Sequence, residues 1–175
     1  MINKINLRML GLISISLNSF IFLSFVFYSI LSKEHIRSVG ELGLMPLRPQ
    51  DPRSLLQGDY MILRYDWSIF ESSKDGNQLR RGYLIFDLKD GIIRPMRLSK
   101  RPAVIASGLY SIKFYRSDYE IKIGAESFFF QEGTSEVYSL ARYAGIKFIP
   151  NSQNGDKLLV GLYDENKELL VPNKD

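Results

Sequence analysis

An apolar segment without a charged residue runs from Leu10 to Leu31, and it constrains the fold of the chain more than any other feature. About 22 residues at a rise of 1.5 Å form a helix of roughly 33 Å, which is enough to cross a hydrocarbon core of about 30 Å. The segment therefore predicts a transmembrane helix. Asn18 within it is either a polar residue tolerated in a lone anchor or the mark of a face that meets another helix.

A cleavable signal peptide is the competing interpretation, because Lys4 and Arg8 would serve as its basic amino-terminal region. The apolar stretch is longer than that of an ordinary signal peptide, which has about 7 to 15 residues, and no Ala-x-Ala-like cleavage site follows near residues 28–33. We therefore expect an uncleaved anchor. Lys4 and Arg8 also favour a cytoplasmic amino terminus under the positive-inside rule, since basic and acidic residues are mixed beyond the segment.

The anchor divides the chain into four predicted regions. Residues 1–9 form a cytoplasmic terminus, residues 10–31 the transmembrane anchor and residues 32–48 a stalk, which can carry a short extension of the helix. Residues 49–175 form an extracytoplasmic β-rich domain. Three prolines between positions 46 and 52 keep the approach to this domain extended or turning rather than helical.

Period-two alternation in the segment from Gly58 to Tyr65 predicts the first strand of the domain. Even-numbered residues from Tyr60 to Arg64 fall on one face, and odd-numbered residues from Met61 onward fall on the other. Such alternation is typical of a strand with one buried and one exposed face. The segment is therefore expected to be a half-buried strand.

Two dipeptides of turn-forming residues predict β-hairpins. Asp90-Gly91 and Asn154-Gly155 each stand between two apolar runs, which is a strong short-range signal for a hairpin. Pro95 lies in the second arm of the first hairpin, and it demotes that arm to an edge strand or a bulge because proline lacks an N–H group.

The segment that follows residue 123 predicts one buried stretch and one helix. Residues 124–133 are too apolar for a free loop and are expected to be buried, and Thr134 or Ser135 can cap a short helix to about Tyr143. With strands predicted on both sides, the fold class is α+β, mainly antiparallel β, in a curled sheet or partly open barrel with one short helix. One N-terminal transmembrane helix completes the prediction.

Two sets of residues resemble the signatures of the GDYXXLXY family of bacterial membrane-anchored proteins. The first set is Asp51-Pro52-Arg53, Leu55-Leu56, Gly58-Asp59-Tyr60, Leu63 and Tyr65. The second set is Gly124-x-Glu126-x-Phe128-Phe129-x-x-Glu132-Gly133, with Gln131 where a proline is expected. The resemblance implies a single-pass domain anchored in the bacterial inner membrane and often encoded beside multi-spanning membrane proteins. It implies no enzymatic activity.

Polar and aromatic residues of these two signatures form the predicted binding site. A carboxylate at a strand start, such as Asp59, can bind a cation or a partner's arginine if Glu126 and Glu132 lie near it. The same carboxylate can instead accept backbone N–H groups at a tight turn. The candidate site residues are Asp59, Tyr60, Arg64, Tyr65, Glu126 and Glu132.

Composition argues against several classes of function. The chain has no cysteine, which excludes disulfides, thiol catalysis and cysteine-ligated metals, and its one histidine, His35, lies close to the predicted membrane boundary. We predict no catalytic residue, no metal site and no cofactor. The net charge of +4 falls to +2 once Lys4 and Arg8 are set aside, which is too small to indicate a nucleic-acid partner.

A run of basic residues allows two interpretations. It is either a patch for anionic lipid or an acidic partner, or a solvated edge strand that charge protects from aggregation. The residues are Arg80, Arg81, Arg94, Arg97, Lys100 and Arg101.

We predict a non-catalytic binding or assembly subunit of a larger membrane protein complex, with the lipid bilayer and a multi-spanning membrane protein as partners. A membrane-anchored hydrolase is the alternative, because Gly58-Asp59-Tyr60 weakly resembles a strand of type I signal peptidases. The chain lacks the Ser-Met pair and the lysine base of those enzymes. An enzyme would show polar groups converging in a cleft, whereas an interaction module would show an exposed apolar or aromatic face.

Overall fold

The computed structural model describes residues 4–48, 56–57, 60–71, 79–104, 108–117, 120–150 and 152–172. The chain separates into two compact units, Met1–His35 and Ile36–Asp175, and each unit is considered by itself.

One long helix accounts for the first unit. Helix α1 runs from Lys4 to Val39, so that its last turn belongs to the second unit. The part of α1 from Met9 onward is long and apolar enough to cross a membrane. None of the residues in its most apolar stretch is buried within the structure. The predicted membrane segment therefore corresponds to a helix that is compatible with a single membrane span.

Strands are the main regular elements in the described part of the second unit. The strands are β1 Glu41–Pro46, β2 Leu56–Gln57, β3 Tyr60–Ile62, β4 Arg81–Lys89, β5 Ile92–Ser99, β6 Tyr110–Ser117, β7 Glu120–Lys122, β8 Ser127–Phe129, β9 Tyr143–Phe148 and β10 Lys157–Tyr163. Among the described residues, two single-turn helices accompany them, α2 Ser68–Glu71 and α3 Ser135–Tyr138.

The strands form two sheets. Seven strands build a mixed sheet in the order β10-β9-β1-β5-β4-β6-β7, and three build a small sheet in the order β2-β3-β8. Every neighbouring pair is antiparallel except β1 and β5, which run parallel and pair at Leu44 and Ile92. The predicted fold class, mainly antiparallel β with one long N-terminal helix, is confirmed.

Aromatic contacts show that the large sheet curls back on itself. Three strands separate β9 from β6 in the sheet order, yet the rings of Phe148 on β9 and Tyr110 on β6 lie 5.1 Å apart. Phe86 on β4 packs edge-on against the same Phe148 ring at 5.1 Å. Because Phe86 and Phe148 are also among the most buried side chains, the apolar core fills the concave side of this curl.

Contacts at Lys113 on β6 hold the curl closed. Its backbone N–H donates to the Gly155 carbonyl at 2.8 Å, and its carbonyl accepts a hydrogen bond from Lys157 Nζ at 2.9 Å. The Lys113 ammonium itself lies 3.2 Å from Asp156 Oδ1. The loop between β9 and β10 is thereby fixed against β6. The hairpin predicted from Asn154 and Gly155 is confirmed, although its loop is longer than a two-residue turn.

The predicted hairpin of β4 and β5 is confirmed with the expected turn. Asp90 and Gly91 have φ angles of 54° and 77°, and two successive positive values are what a tight hairpin turn of this length requires. The register of the pair shifts between Ile85 and Phe86. Ile85 pairs with Arg97 and Phe86 pairs with Pro95, so one residue of β5 between them has no partner on β4. Of the two outcomes predicted from the proline, an edge strand or a bulge, the bulge is therefore present.

Residues 41–46 correct the predicted stalk. They form β1, which lies between β9 and β5 and pairs with β9 along its whole length. Leu44 and Met45 are buried there. Assigning residues 41–46 to a stalk is wrong. The segment is a strand because it pairs with β9, whose residues lie about a hundred positions later in the chain.

The helix predicted to reach Tyr143 ends five residues earlier, at Tyr138. The Thr134 hydroxyl donates to the Gln131 carbonyl and does not cap the helix, so little stabilises a longer one. Pairing of Tyr143 with both β1 and β10 draws the chain into β9 instead. Tertiary pairing has overridden a helical pattern of apolar residues here.

Candidate functional site

The two sequence signatures pair with each other in the small sheet. β3, from the first signature, is antiparallel to β8, from the second. The register continues past the strand ends, because the Leu63 N–H donates to the Glu126 carbonyl at 2.7 Å. The paired positions are Tyr60 with Phe129, Met61 with Phe128 and Ile62 with Ser127.

The inner face of the first signature belongs to the core. Met61, Leu63 and Tyr65 are each exposed by 3% or less, whereas Ile62 and Arg64 between them are exposed. The predicted alternation is therefore confirmed over these residues. Burial of an odd-numbered face anchors the signature to the apolar core of the second unit.

Tyr65 makes a polar contact inside that core. Its hydroxyl donates a hydrogen bond to the Ala125 carbonyl, and its ring lies 5.8 Å from the ring of Trp67. Burial raises the pKa of the Tyr65 hydroxyl, and the negative charge of Glu126 raises it further. The hydroxyl therefore remains a neutral hydrogen-bond donor over the physiological pH range.

The same signature also contacts the large sheet. Leu47, next to the end of β1, forms an antiparallel bridge with Tyr65, and the Arg48 N–H donates to the Arg64 carbonyl at 2.8 Å. Residues 60–65 are thus held by β8 through their first half and by the extension of β1 through their second half. The signature joins the two sheets of the unit.

The predicted acidic residues have separate environments in the structure. The Glu126 carboxylate accepts hydrogen bonds from the backbone N–H groups of Ile123 and Gly124, the latter at 3.0 Å. Glu132 is exposed in the turn before α3, and Asp59 lies outside the described residues. Among the described residues, no group of three or more His, Asp or Glu side chains could hold a metal ion.

The outer face of the small sheet is aromatic. The Tyr60 ring, which is half-buried, lies 5.8 Å from the Phe129 ring, and Phe129 is 74% exposed. Ile62 on the same face is 37% exposed. The expectation that residues 124–133 are buried is wrong for Phe129, because β8 is a strand and turns alternate side chains outward. We call Tyr60, Ile62 and Phe129 the aromatic face.

One carboxylate beside the signature was missed by the sequence reasoning. Asp66 accepts a hydrogen bond from the Ser68 N–H at 3.0 Å, and this bond, assisted by the charge of Arg48 with its Nε at 3.8 Å, lowers the pKa of Asp66. The signal was available, since an aspartate two residues before a serine is a common turn pattern. The contact lies between the bridge at Tyr65 and the start of α2 at Ser68.

These features define the class of protein to which the chain belongs. It is a chain with one helix able to span a membrane and a curled, mainly antiparallel β unit whose small second sheet carries an exposed aromatic face. The family model described as GDYXXLXY protein matches residues 22–162, and the chain therefore belongs to the GDYXXLXY family. No curated protein and no solved structure is significantly similar to it.

Proposed function

We propose that the chain is a membrane-anchored, non-catalytic binding subunit whose aromatic face holds a multi-spanning membrane protein. The observation that carries this proposal is the exposure of Phe129, at 74%, on a strand whose neighbour presents Tyr60 and Ile62 on the same side. A partner that covers this face removes adjoining apolar side chains from water. The tether that would keep the unit beside membrane proteins is the apolar helix α1.

The energetics support a contact of this kind. Fully burying a phenylalanine side chain is worth about 1.5–3 kcal/mol, and an aromatic pair contributes further beyond its area. Aromatic residues and arginine are enriched in the cores of protein interfaces. Arg64, two residues beyond the end of β3, is exposed and continues the alternation of Tyr60 and Ile62. The aromatic face therefore has the composition of a small binding hot spot.

The predicted site residues divide into two roles in this proposal. Tyr60 and Arg64 would contact the partner, with Glu132 and Asp59 as polar residues at the rim. Tyr65 and Glu126 would position the sheet from its inner side, because their polar groups already bond to the backbone. The hydrolase alternative depends on Gly58-Asp59, which lies outside the described residues.

The anchor is proposed to remain uncleaved in the bacterial inner membrane, with the β unit outside the cytoplasm. Lys4 and Arg8 ahead of the apolar segment support this orientation. Intact mass of the membrane-extracted protein would reveal a cleaved form, and protease protection in spheroplasts would reveal an inverted one. Loss of the first 30 or so residues, or full protection of the β unit, would overturn this part of the proposal.

Site-specific photo-crosslinking of the full-length protein in its own membrane tests the binding role. A photoreactive phenylalanine analogue at position 129 is expected to capture one multi-spanning membrane protein, and Tyr60→Ser in the same chain should abolish the capture. The matched control places the analogue at Met96, which is 51% exposed on β5 in the other sheet. Equal products from both positions, or no product from position 129, would contradict the proposal.

A further inference from the structure

Strand β8 has two residues whose backbone polar groups point away from its neighbour. It ends the small sheet, and within the described residues it pairs with β3 alone. The Leu63 N–H donates to the Glu126 carbonyl, so these two residues form a hydrogen-bonded pair of the antiparallel ladder. Such pairs alternate with pairs that are not hydrogen-bonded, and Ser127 and Phe129 occupy the latter positions. Their N–H and C=O groups therefore face away from β3.

These outward groups are open over a stretch of three residues. Ser127 and Phe129 are both exposed, and within the described part of the chain their outward backbone groups make no hydrogen bond. The stretch is bounded on both sides, because the Ala125 carbonyl accepts a tyrosine hydroxyl and the Gln131 carbonyl accepts a backbone N–H at 3.1 Å. We call residues 127–129 the open edge.

The open edge differs from the edge of the large sheet at β10. There the chain folds back, so that Leu169 forms a bridge with Tyr163 and the Leu170 N–H donates to the Leu162 carbonyl at 2.8 Å. Charge, proline, a bulge or a covering segment commonly protects an edge strand from pairing with another chain. Apart from its shortness, the open edge has none of these among the described residues. It is therefore available to another strand.

The charge beside the open edge is acidic. From Ser127 to Ala141 the chain carries Glu132 and Glu136 but no lysine or arginine. Both carboxylates are exposed, and neither forms an ion pair with another described residue. Pairing of the open edge with that of a second copy would centre on Phe128 and lay the acidic segments of both chains side by side, which is unfavourable. A basic segment would instead meet opposite charge.

We infer that the open edge binds an extended, basic segment of the multi-spanning partner as an added strand of the small sheet. This inference rests on the proposed binding role of the aromatic face and specifies the form of the bound segment. An extended peptide presents N–H and C=O groups at the spacing that the outward groups of β8 require. Alternate side chains of the added strand would lie beside Phe129, and a basic residue would approach Glu132.

Proline at position 127 tests the backbone contact. The Ser127 N–H points away from β3, so Ser127→Pro removes an outward donor and obstructs the edge while the ladder with β3 keeps its hydrogen bonds. The readout is the photo-crosslinking yield from an analogue at position 129 of the full-length protein in its own membrane. Ser127→Pro should lower this yield about tenfold. The matched control, Ser127→Ala, keeps the N–H and should leave the yield unchanged.

Reversal of charge tests the nature of the bound segment without altering the backbone. Glu132→Lys with Glu136→Lys should lower the same yield about tenfold, because the added strand would then meet like charge. Glu165→Lys with Glu168→Lys makes an equal change in net charge at exposed residues beyond β10, and it should leave the yield unchanged.

Amide hydrogen exchange gives a further readout that needs no substitution and does not depend on the folding of Ser127→Pro. Exchange at residues 127–129 should slow about tenfold or more in the purified complex relative to the protein alone, because the outward N–H groups become hydrogen-bonded. Unchanged exchange there would overturn the inference.

The crosslinking outcomes separate this inference from the proposed function. An unchanged yield in Ser127→Pro, or an equal yield in the two charge-reversed variants, would overturn the added strand and leave the aromatic face as the binding site. A crosslinked product that consists of two copies of this chain would also overturn the inference. No product from position 129 in the otherwise unaltered chain would contradict the binding role itself, and the inference with it.

Discussion

The Tyr65 hydroxyl donates its hydrogen bond to the carbonyl of Ala125, a residue 60 positions further along the chain. The contact links the first family signature to the second inside the apolar core. A tyrosine is needed here rather than a phenylalanine, because only the hydroxyl satisfies a carbonyl that would otherwise be buried without a donor. The last residue of the GDYXXLXY motif therefore has a structural reason to be tyrosine.

Replacing Tyr65 by phenylalanine is expected to lower the free energy of unfolding by about 1–3 kcal/mol, since the Ala125 carbonyl would lose its donor. Urea unfolding of the detergent-solubilised protein, followed by the fluorescence of Trp67, measures this loss. Trp67 is the only tryptophan, and its ring lies beside Tyr65. The control, Tyr115→Phe, alters a tyrosine that is 40% exposed and should cost less than about 0.5 kcal/mol.

Alkaline pH should destabilise the folded state through the same hydroxyl. The pKa of Tyr65 is raised in the folded protein above its ordinary value of 10.0, so the unfolded chain releases this proton first. Stability is complete below that ordinary value and falls by about 1.4 kcal/mol per pH unit above it. The slope of the urea midpoint against pH should be shallower in Tyr65→Phe. A remaining slope is expected from Tyr138, whose pKa burial also raises. Equal slopes in both proteins would refute the assignment to Tyr65.

Glu126 and Glu132 should respond differently to the same substitution. Glu126→Ala removes the acceptor of two backbone N–H groups and is expected to cost about 1–2 kcal/mol of unfolding free energy. Glu132→Ala alters an exposed side chain and should stay within about 0.5 kcal/mol. Thermal melts followed by near-ultraviolet circular dichroism compare the two. A loss for Glu132→Ala as large as that for Glu126→Ala would contradict the stabilising role assigned to the hydrogen bonds of Glu126.

Two glycines with positive φ allow the closure of the sheet to be tested. A Cβ at Gly155 would lie 2.9 Å from the Lys113 backbone nitrogen and 3.0 Å from the Tyr83 ring, whereas a Cβ at Gly91 would meet nothing within 4 Å. Both alanine variants carry about 1–2 kcal/mol of backbone strain, but only Gly155→Ala also pushes the loop away from β6. Its melting temperature should therefore fall further than that of Gly91→Ala. Indistinguishable melting temperatures would argue against a tight closure at Lys113.

Local patterns in the sequence predicted the features that depend on local physics. The alternation around Met61 and Leu63 predicted a half-buried strand, because side chains on a strand alternate regardless of its partner, but it did not say which of the two faces is buried. Asp90 and Gly91 predicted a hairpin, because few residues other than these accept the positive φ angles of a tight turn. Pro95 predicted either an edge strand or a bulge for the equally local reason that it has no N–H group, and the structure has the bulge.

The features that depend on distant partners were missed or wrong. The strand character of residues 41–46 depends on β9, and the early end of α3 depends on the pairing of Tyr143 with β1 and β10. The candidate site was predicted only as a set of residues. Nothing local to Glu126 distinguishes a ligand-binding carboxylate from one that accepts two backbone N–H groups. The exposure of Phe129 likewise follows from the register of β8 against β3, which no single segment encodes.

The interior position of β1 imposes an order on biosynthesis. Residues 41–46 leave the ribosome early, while the β9 residues with which they pair follow about a hundred residues later. At a synthesis rate of about 5–20 residues per second, the nascent β1 waits on the order of 5–20 s for this partner. Its apolar side chains stay available to chaperones and to other nascent chains during that interval. In a polypeptide truncated before Tyr143, the apolar side chains of β1 would remain exposed. Synthesis of the C-terminal hairpin is therefore required before β1 can be buried.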